Sequence, residues 1–106
     1  MSNVKGSFYF KLTDNGNLVG EFTNNHTDLI ATESGNRLTI ENTFDGEYLT
    51  SWRENNRTLS AELTIESVAN NTNQLKYMLT WRRNVTTIFS GEGFLVDGIL
   101  IGHYTD

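Results

Sequence analysis

From Leu59 to Glu66 the chain alternates without a break, with Leu59, Ala61, Leu63 and Ile65 on one side and Ser60, Glu62, Thr64 and Glu66 on the other. Successive side chains of a β-strand point to opposite faces, so this rhythm makes a strand with one dry and one wet face. Read as a helix, 57–68 would group Leu59 and Leu63 with Glu66, a poorer sorting of the same residues.

The period recurs along the chain. Phe8, Phe10 and Leu12 oppose Tyr9, Lys11 and Thr13, and after Asp14-Asn15-Gly16-Asn17 the segment Leu18–Phe22 returns. A turn at Asn24–Thr27 leads to a short strand over Asp28–Glu33. Ser34-Gly35-Asn36 then turns into Arg37–Phe44, where Leu38, Ile40 and Phe44 share a face. Asp45-Gly46 is a tight-hairpin signal before Tyr48–Arg53. Asn55-Asn56, the loop Asn70–Asn73, Asn84-Val85 and Asp97-Gly98 separate Arg57–Glu66, Gln74–Arg82, Thr86–Val96 and Ile99–Thr105. Gly, Asn and Asp tolerate the positive φ that tight hairpins demand.

The pattern predicts one all-β domain over residues 1–106, an antiparallel up-and-down meander of about eight to nine short strands. An open meander would leave two long edges, and with no proline in the chain nothing blunts them. Closure into a small barrel removes the edges, and a β-sandwich is the alternative architecture. Gly91 and Gly93, on one face of one strand, suit the sharp bend that closure requires.

Within this frame a phrase is repeated. "YLTSWREN" at 48–55 and "YMLTWRRN" at 77–84 both read Tyr, three residues, Trp, Arg, one residue, Asn, and they hold the only two tryptophans. In a strand, positions four apart share a face, so Tyr48 goes with Trp52 and Tyr77 with Trp81. Core packing accounts for such aromatics. A recognition face accounts for them too, since Trp and Tyr carry much of the binding energy of protein sites. The candidate ligand-binding residues are therefore Tyr48, Trp52, Tyr77, Trp81, Arg82 and Tyr104, with Phe8, Phe10 and Phe22 as further wall. A second echo pairs "LVGEFT" at 18–23 with "LIGHYT" at 100–105, near the seam where a closed meander joins its first and last strands.

Composition narrows the function. A formal charge of −5 repels phosphate backbones, which disfavours nucleic acid and suits a basic protein surface as partner. There is no cysteine, hence no disulfide, thiolate metal site or Cys nucleophile. His26 and His103 form no ligand pair, so no metal is expected. "FSGEG" at 89–93 lacks the order and the strand–turn–helix setting of a nucleophile elbow. Glu62 and Glu66 fall on the wet face, and no glycine-rich loop opens a helix. No catalytic residue and no cofactor are expected, and the chain reads as non-enzymatic. No apolar run is long enough for a membrane helix, and the polar Met1–Lys5 start is not a signal peptide, which points to the cytoplasm.

"GSFYFKLTDNGNLVGEF" resembles the opening hairpin of avidin-type and lipocalin-like small barrels, with Gly6-Ser7-Phe8 and then Leu18-Val19-Gly20-Glu21-Phe22 after a Gly turn. "GILIGHYTD" is similar to the last strand of that group. The resemblance covers about a third of the chain and implies a barrel that uses its open end. Three functions are compatible with these readings. The first is a barrel that binds a small molecule through an aromatic-lined face or cavity. The second is an acidic interaction module (inhibitor, immunity or anti-defence protein) covering a basic site on another protein. The third is a carbohydrate-binding module. A homodimer is compatible with the seam but not required by it.

Overall fold

The computed structural model describes residues 3–40, 43–69 and 75–106. Eight strands run in chain order: β1 (Lys5–Leu12), β2 (Leu18–Asn24), β3 (Ala31–Arg37), β4 (Gly46–Glu54), β5 (Arg57–Ala69), β6 (Leu75–Arg83), β7 (Thr86–Val96) and β8 (Ile99–Thr105). Each pairs antiparallel with its chain neighbours, and β1 pairs with β8 to close the barrel. No edge is left unpaired, the solution that the proline-free meander requires.

Alternation fixes what fills the barrel. In β4 and β6, Tyr48, Thr50 and Trp52, and Tyr77, Leu79 and Trp81, point inward and are buried. β5 lies between them, and its Leu63 is opposite both Tyr48 and Trp81. The two phrases are thus staggered by four residues across two strand pairs. Such stagger goes with strand tilt in a closed barrel.

The second echo is explained at the seam. Gly20 and Gly102 lie opposite Phe10 and Phe8 on either side of β1. A Cβ at Gly20 would collide with the Tyr9 carbonyl and sit 2.8 Å from the Phe10 ring, and one at Gly102 would collide with the Glu92 carbonyl and sit 2.7 Å from the Phe8 ring. Each echoed glycine therefore makes room for a neighbouring carbonyl and a β1 phenylalanine, and Leu18, Phe22, Leu100 and Tyr104 around them fill the core.

One expected strand is missing. Leu38–Ile40 and Thr43–Phe44 lie in no strand: β3 instead runs through Ser34-Gly35-Asn36 to Arg37, and β4 begins at Gly46. Gly35 faces inward, where a Cβ would stand 2.9 Å from the Thr50 methyl, so it is a packing glycine in a strand rather than a turn residue. Leu38 and Ile40 are 59% and 103% exposed, and of the expected apolar trio only Phe44 is buried. The connection is pinned as a plug. Arg37 donates to the carbonyls of Gly16 (2.7 Å), Asp45 (3.0 Å) and Thr43, and its guanidinium lies 4.8 Å from the Tyr48 ring centroid. Tyr48 Oη donates to Phe44 O at 2.7 Å, and the Phe44 ring meets Tyr77 edge-on. One end of the barrel is closed in this way. The expected loop Asn70–Asn73 lies outside the described residues.

The opposite end carries both chain ends and the turns 25–30, 55–56 and 84–85. Asn55, Asn56, Asn84 and Val85 all have positive φ, as two-residue hairpins of this hand need.

Candidate functional site

The open end is where chemistry gathers. Inward alternation places Phe22 and Asn24 (β2), Glu33 (β3), Trp52 and Glu54 (β4), Trp81 (β6), Phe89 (β7) and Tyr104 (β8) around one small void of about 20 Å³. The aromatic rings form a continuous wall with largely edge-to-face contacts. Phe22 meets Trp52 at 6.4 Å and Tyr104 at 6.3 Å, and Phe89 meets Tyr104 at 5.5 Å between centroids. Regular pairing opposite Trp81 keeps Phe89 on the same inward face as Gly91 and Gly93, and the register shift between β6 and β7 comes only beyond it, at Arg82.

Glu33 is only 6% exposed. The indole N–H of Trp81 donates to its Oε2 at 2.9 Å, and the Thr50 hydroxyl, which donates to Ala61 O at 3.3 Å, lies close to the carboxyl. Burial pushes the Glu33 carboxyl up to about 7, against the Trp81 hydrogen bond and the nearby Thr50 hydroxyl, which favour the charged form. Trp52 treats a second acid in the same way, its indole N–H donating to Glu54 Oε1 at 3.2 Å. Asn24 Nδ2 donates to Tyr104 Oη at 3.0 Å. Burial raises the Tyr104 phenol above its ordinary value, the Asn24 bond opposes this, and the negative charges of Glu33 and Glu54 add to the rise. The two tryptophans of the repeated phrase thus each hold a carboxylate beside one void.

That void holds about one water-sized group. It is not a cavity of the roughly 300 Å³ that a whole small molecule needs. Above it opens a recess of about 350 Å³ that shares Phe22, Asn24, Glu54 and Phe89 with the void and adds His26, Leu29, Arg53 and Asn55 from the rim. Room for a ligand body lies in this recess, with the aromatic chamber as its floor.

Of the residues expected to bind, Trp52, Trp81 and Tyr104 come together here. Tyr48 and Tyr77 are buried at the plugged end, where burial and the Asp45 charge raise the Tyr77 phenol. Arg82 is on the outer face, where its Nη1 donates to Thr64 Oγ1 at 3.4 Å. Phe22 was expected as wall and is wall; Glu33, Glu54, Asn24 and Phe89 were not singled out. An Ala31-Glu33-Gly35 alternation, read through the apparent turn at Ser34–Asn36, was the signal for Glu33.

Elsewhere, Glu92 on the outer face pairs with Lys76 at 2.8 Å and His103 at 3.3 Å. The Lys76 hydrogen bond is the main cause of its lowered carboxyl pKa. Among the described residues no group of three His, Cys, Asp or Glu could hold a metal ion. Outside the barrel wall, Tyr9, Ile30, Ile99 and Ile101 line an open apolar groove. No family model, curated protein or solved structure matches the chain.

Proposed function

We propose that this chain is a non-enzymatic binding barrel that takes a small molecule at its open end, with the ligand body in the recess and one group reaching the chamber between Trp52 and Trp81. The observation that carries the reading is Glu33. A nearly buried acid, ringed by aromatic side chains beneath an open recess, is costly for a purely structural core and useful for recognition. Few convergent polar groups on an apolar wall are the usual make-up of a small-molecule site. The likeness of the first hairpin and last strand to avidin-type and lipocalin-like barrels supports the use of this end.

The test is to purify the protein from its source cells under native conditions, denature it, and identify released small molecules by mass spectrometry. Each is then titrated back while tryptophan fluorescence is read. Both indoles border the void, so an occupied chamber changes their emission. A compound that co-purifies in near-equal amount and shifts the emission saturably supports the reading. If only a basic protein co-purifies, and its capture weakens steeply with salt, the acidic interaction module replaces it.

A further inference from the structure

We propose that the open-end site selects ligands with a primary ammonium head, seated between the Trp52 and Trp81 indoles against Glu33 and Glu54, with a short apolar body in the recess above. The inference deepens the binding-barrel reading and rests on it.

Charge gives the sign. Glu33 and Glu54 both border the void, each receives a neutral indole N–H, and neither has an ion-pair partner among the described residues. A carboxylate offers about four lone-pair sites, so the neutral indole donor leaves Glu33 with capacity for a further, charged one. A neutral or anionic head would leave that buried acid uncompensated or oppose it; an ammonium supplies the missing charge. The surrounding rings favour the same sign, because aromatic faces attract cations and an aromatic cage is a common way to hold an amine.

Size then narrows the class. A void of about 20 Å³ admits a group the size of water, which a primary ammonium is and a trimethylammonium is not. Three donors on the head match Glu33, Glu54 and the Tyr104 hydroxyl, whose lone pair is free to accept while Asn24 also donates to it. The recess wall of Phe22, Leu29, Ala31 and Phe89 sets the apolar character of the body.

Five titratable or charged groups face the site: Glu33, Glu54, Tyr104, and, at the rim, His26 and Arg53. An alkylammonium stays charged to about pH 10. Glu33 must be ionised to pair with it, and its carboxyl titrates at about 7. Affinity therefore rises from about pH 6 to about pH 8, by up to about tenfold per unit below the Glu33 value.

The experiment uses the full chain and four probes of one shape: 2-phenylethylammonium, 2-phenylethanol, 2-phenylethyltrimethylammonium and 3-phenylpropionate. Binding is read by calorimetry and tryptophan emission. The primary ammonium is expected to bind at least about tenfold more tightly than the other three. Glu33→Gln should remove that preference and the pH dependence. Glu54→Gln, at an exposed position that cannot jeopardise the fold, should reduce the preference about threefold. Equal or tighter binding of the alcohol, the propionate or the bulky cation overturns the ammonium assignment and leaves the binding barrel standing. If none of the four binds, the assignment falls as well, and the co-purification experiment alone decides the barrel reading.

Discussion

The indole N–H of Trp81 reaches across the inside of the barrel to the carboxylate of Glu33, 2.9 Å away, tying β6 to β3, two strands that share no hydrogen-bonded edge. It satisfies one oxygen of a buried acid, but it does not neutralise it. Its effect on stability therefore depends on pH.

The folded-state value of Glu33 is raised from 4.5 to about 7. Below the unfolded value both states are protonated and the stabilising contribution is fully present. As pH rises, the unfolded chain ionises first, and stability falls until the folded carboxyl has ionised too. The group should therefore cost on the order of 3 kcal/mol between about pH 4 and pH 8. Glu33→Gln keeps an acceptor for Trp81 and removes the titration. Urea unfolding at several pH values should show the variant gaining on the wild type as pH rises. Parallel curves for the two proteins would contradict the raised value.

The two tryptophans of the repeated phrase occupy the same slot but should not be equivalent. Trp81→Phe strips the donor from a buried acid, whereas Trp52→Phe strips it from Glu54, which is exposed and can turn to water. After allowance for similar packing losses, Trp81→Phe should cost about 1–3 kcal/mol more than Trp52→Phe at about pH 8. The gap should narrow at about pH 5, where Glu33 is neutral. Equal losses at both pH values would mean that the cross-barrel bond contributes nothing.

Sequence reading reached the parts of this molecule in which polarity and direction agree. β4, β5 and β6 alternate cleanly, so their inward faces, the shared side of Tyr and Trp in each phrase, and the closed meander were all legible. It failed where they disagree. Glu33 points inward despite its charge, so sorting by polarity passes over it. Ser34-Gly35-Asn36 has the composition of a turn, yet it runs on as strand, and inward Gly35 is a glycine because Thr50 leaves no space for a Cβ. Leu38 and Ile40 look like strand residues, but the ladder with β4 ends at the bond from Leu38 N–H to Glu47 O, and the next bond, from Glu47 N–H, goes to the Thr39 hydroxyl rather than to backbone. Phe89 shares the inward face of Gly91 and Gly93 by simple alternation, but two glycines carry no polarity signal, so the face of that strand was not legible as a lining.

Val85 stands in the left-handed region at φ 61° and is 96% exposed. A β-branched residue there is strained by about 1–2 kcal/mol, and no contact in the core offsets the strain. Val85→Gly creates an Asn-Gly pair, the preferred chemistry for a two-residue hairpin of this kind. The variant should be more stable by about 1 kcal/mol, read as a higher urea midpoint with an unchanged slope. A lower midpoint would show that the Val85 side chain has a stabilising contact after all.

Arg37 holds the plug, and it does so with geometry that lysine lacks. Its planar guanidinium donates in three directions, to Gly16, Asp45 and Thr43, while its face lies on Tyr48. An ammonium in its place reaches one of those carbonyls at a time and stacks less well. Arg37→Lys should therefore cost about 2–3 kcal/mol although the charge is kept. The loss should be local. Phe44 would be released from Tyr77 and Tyr48, and amide exchange should speed up in 38–40 and 43–48 while β7 and β8 hold their protection. The tryptophans, at the other end, should keep their emission. Exchange that accelerates equally around the whole barrel would mean that the β3–β4 connection is integral to the core and not a separable plug.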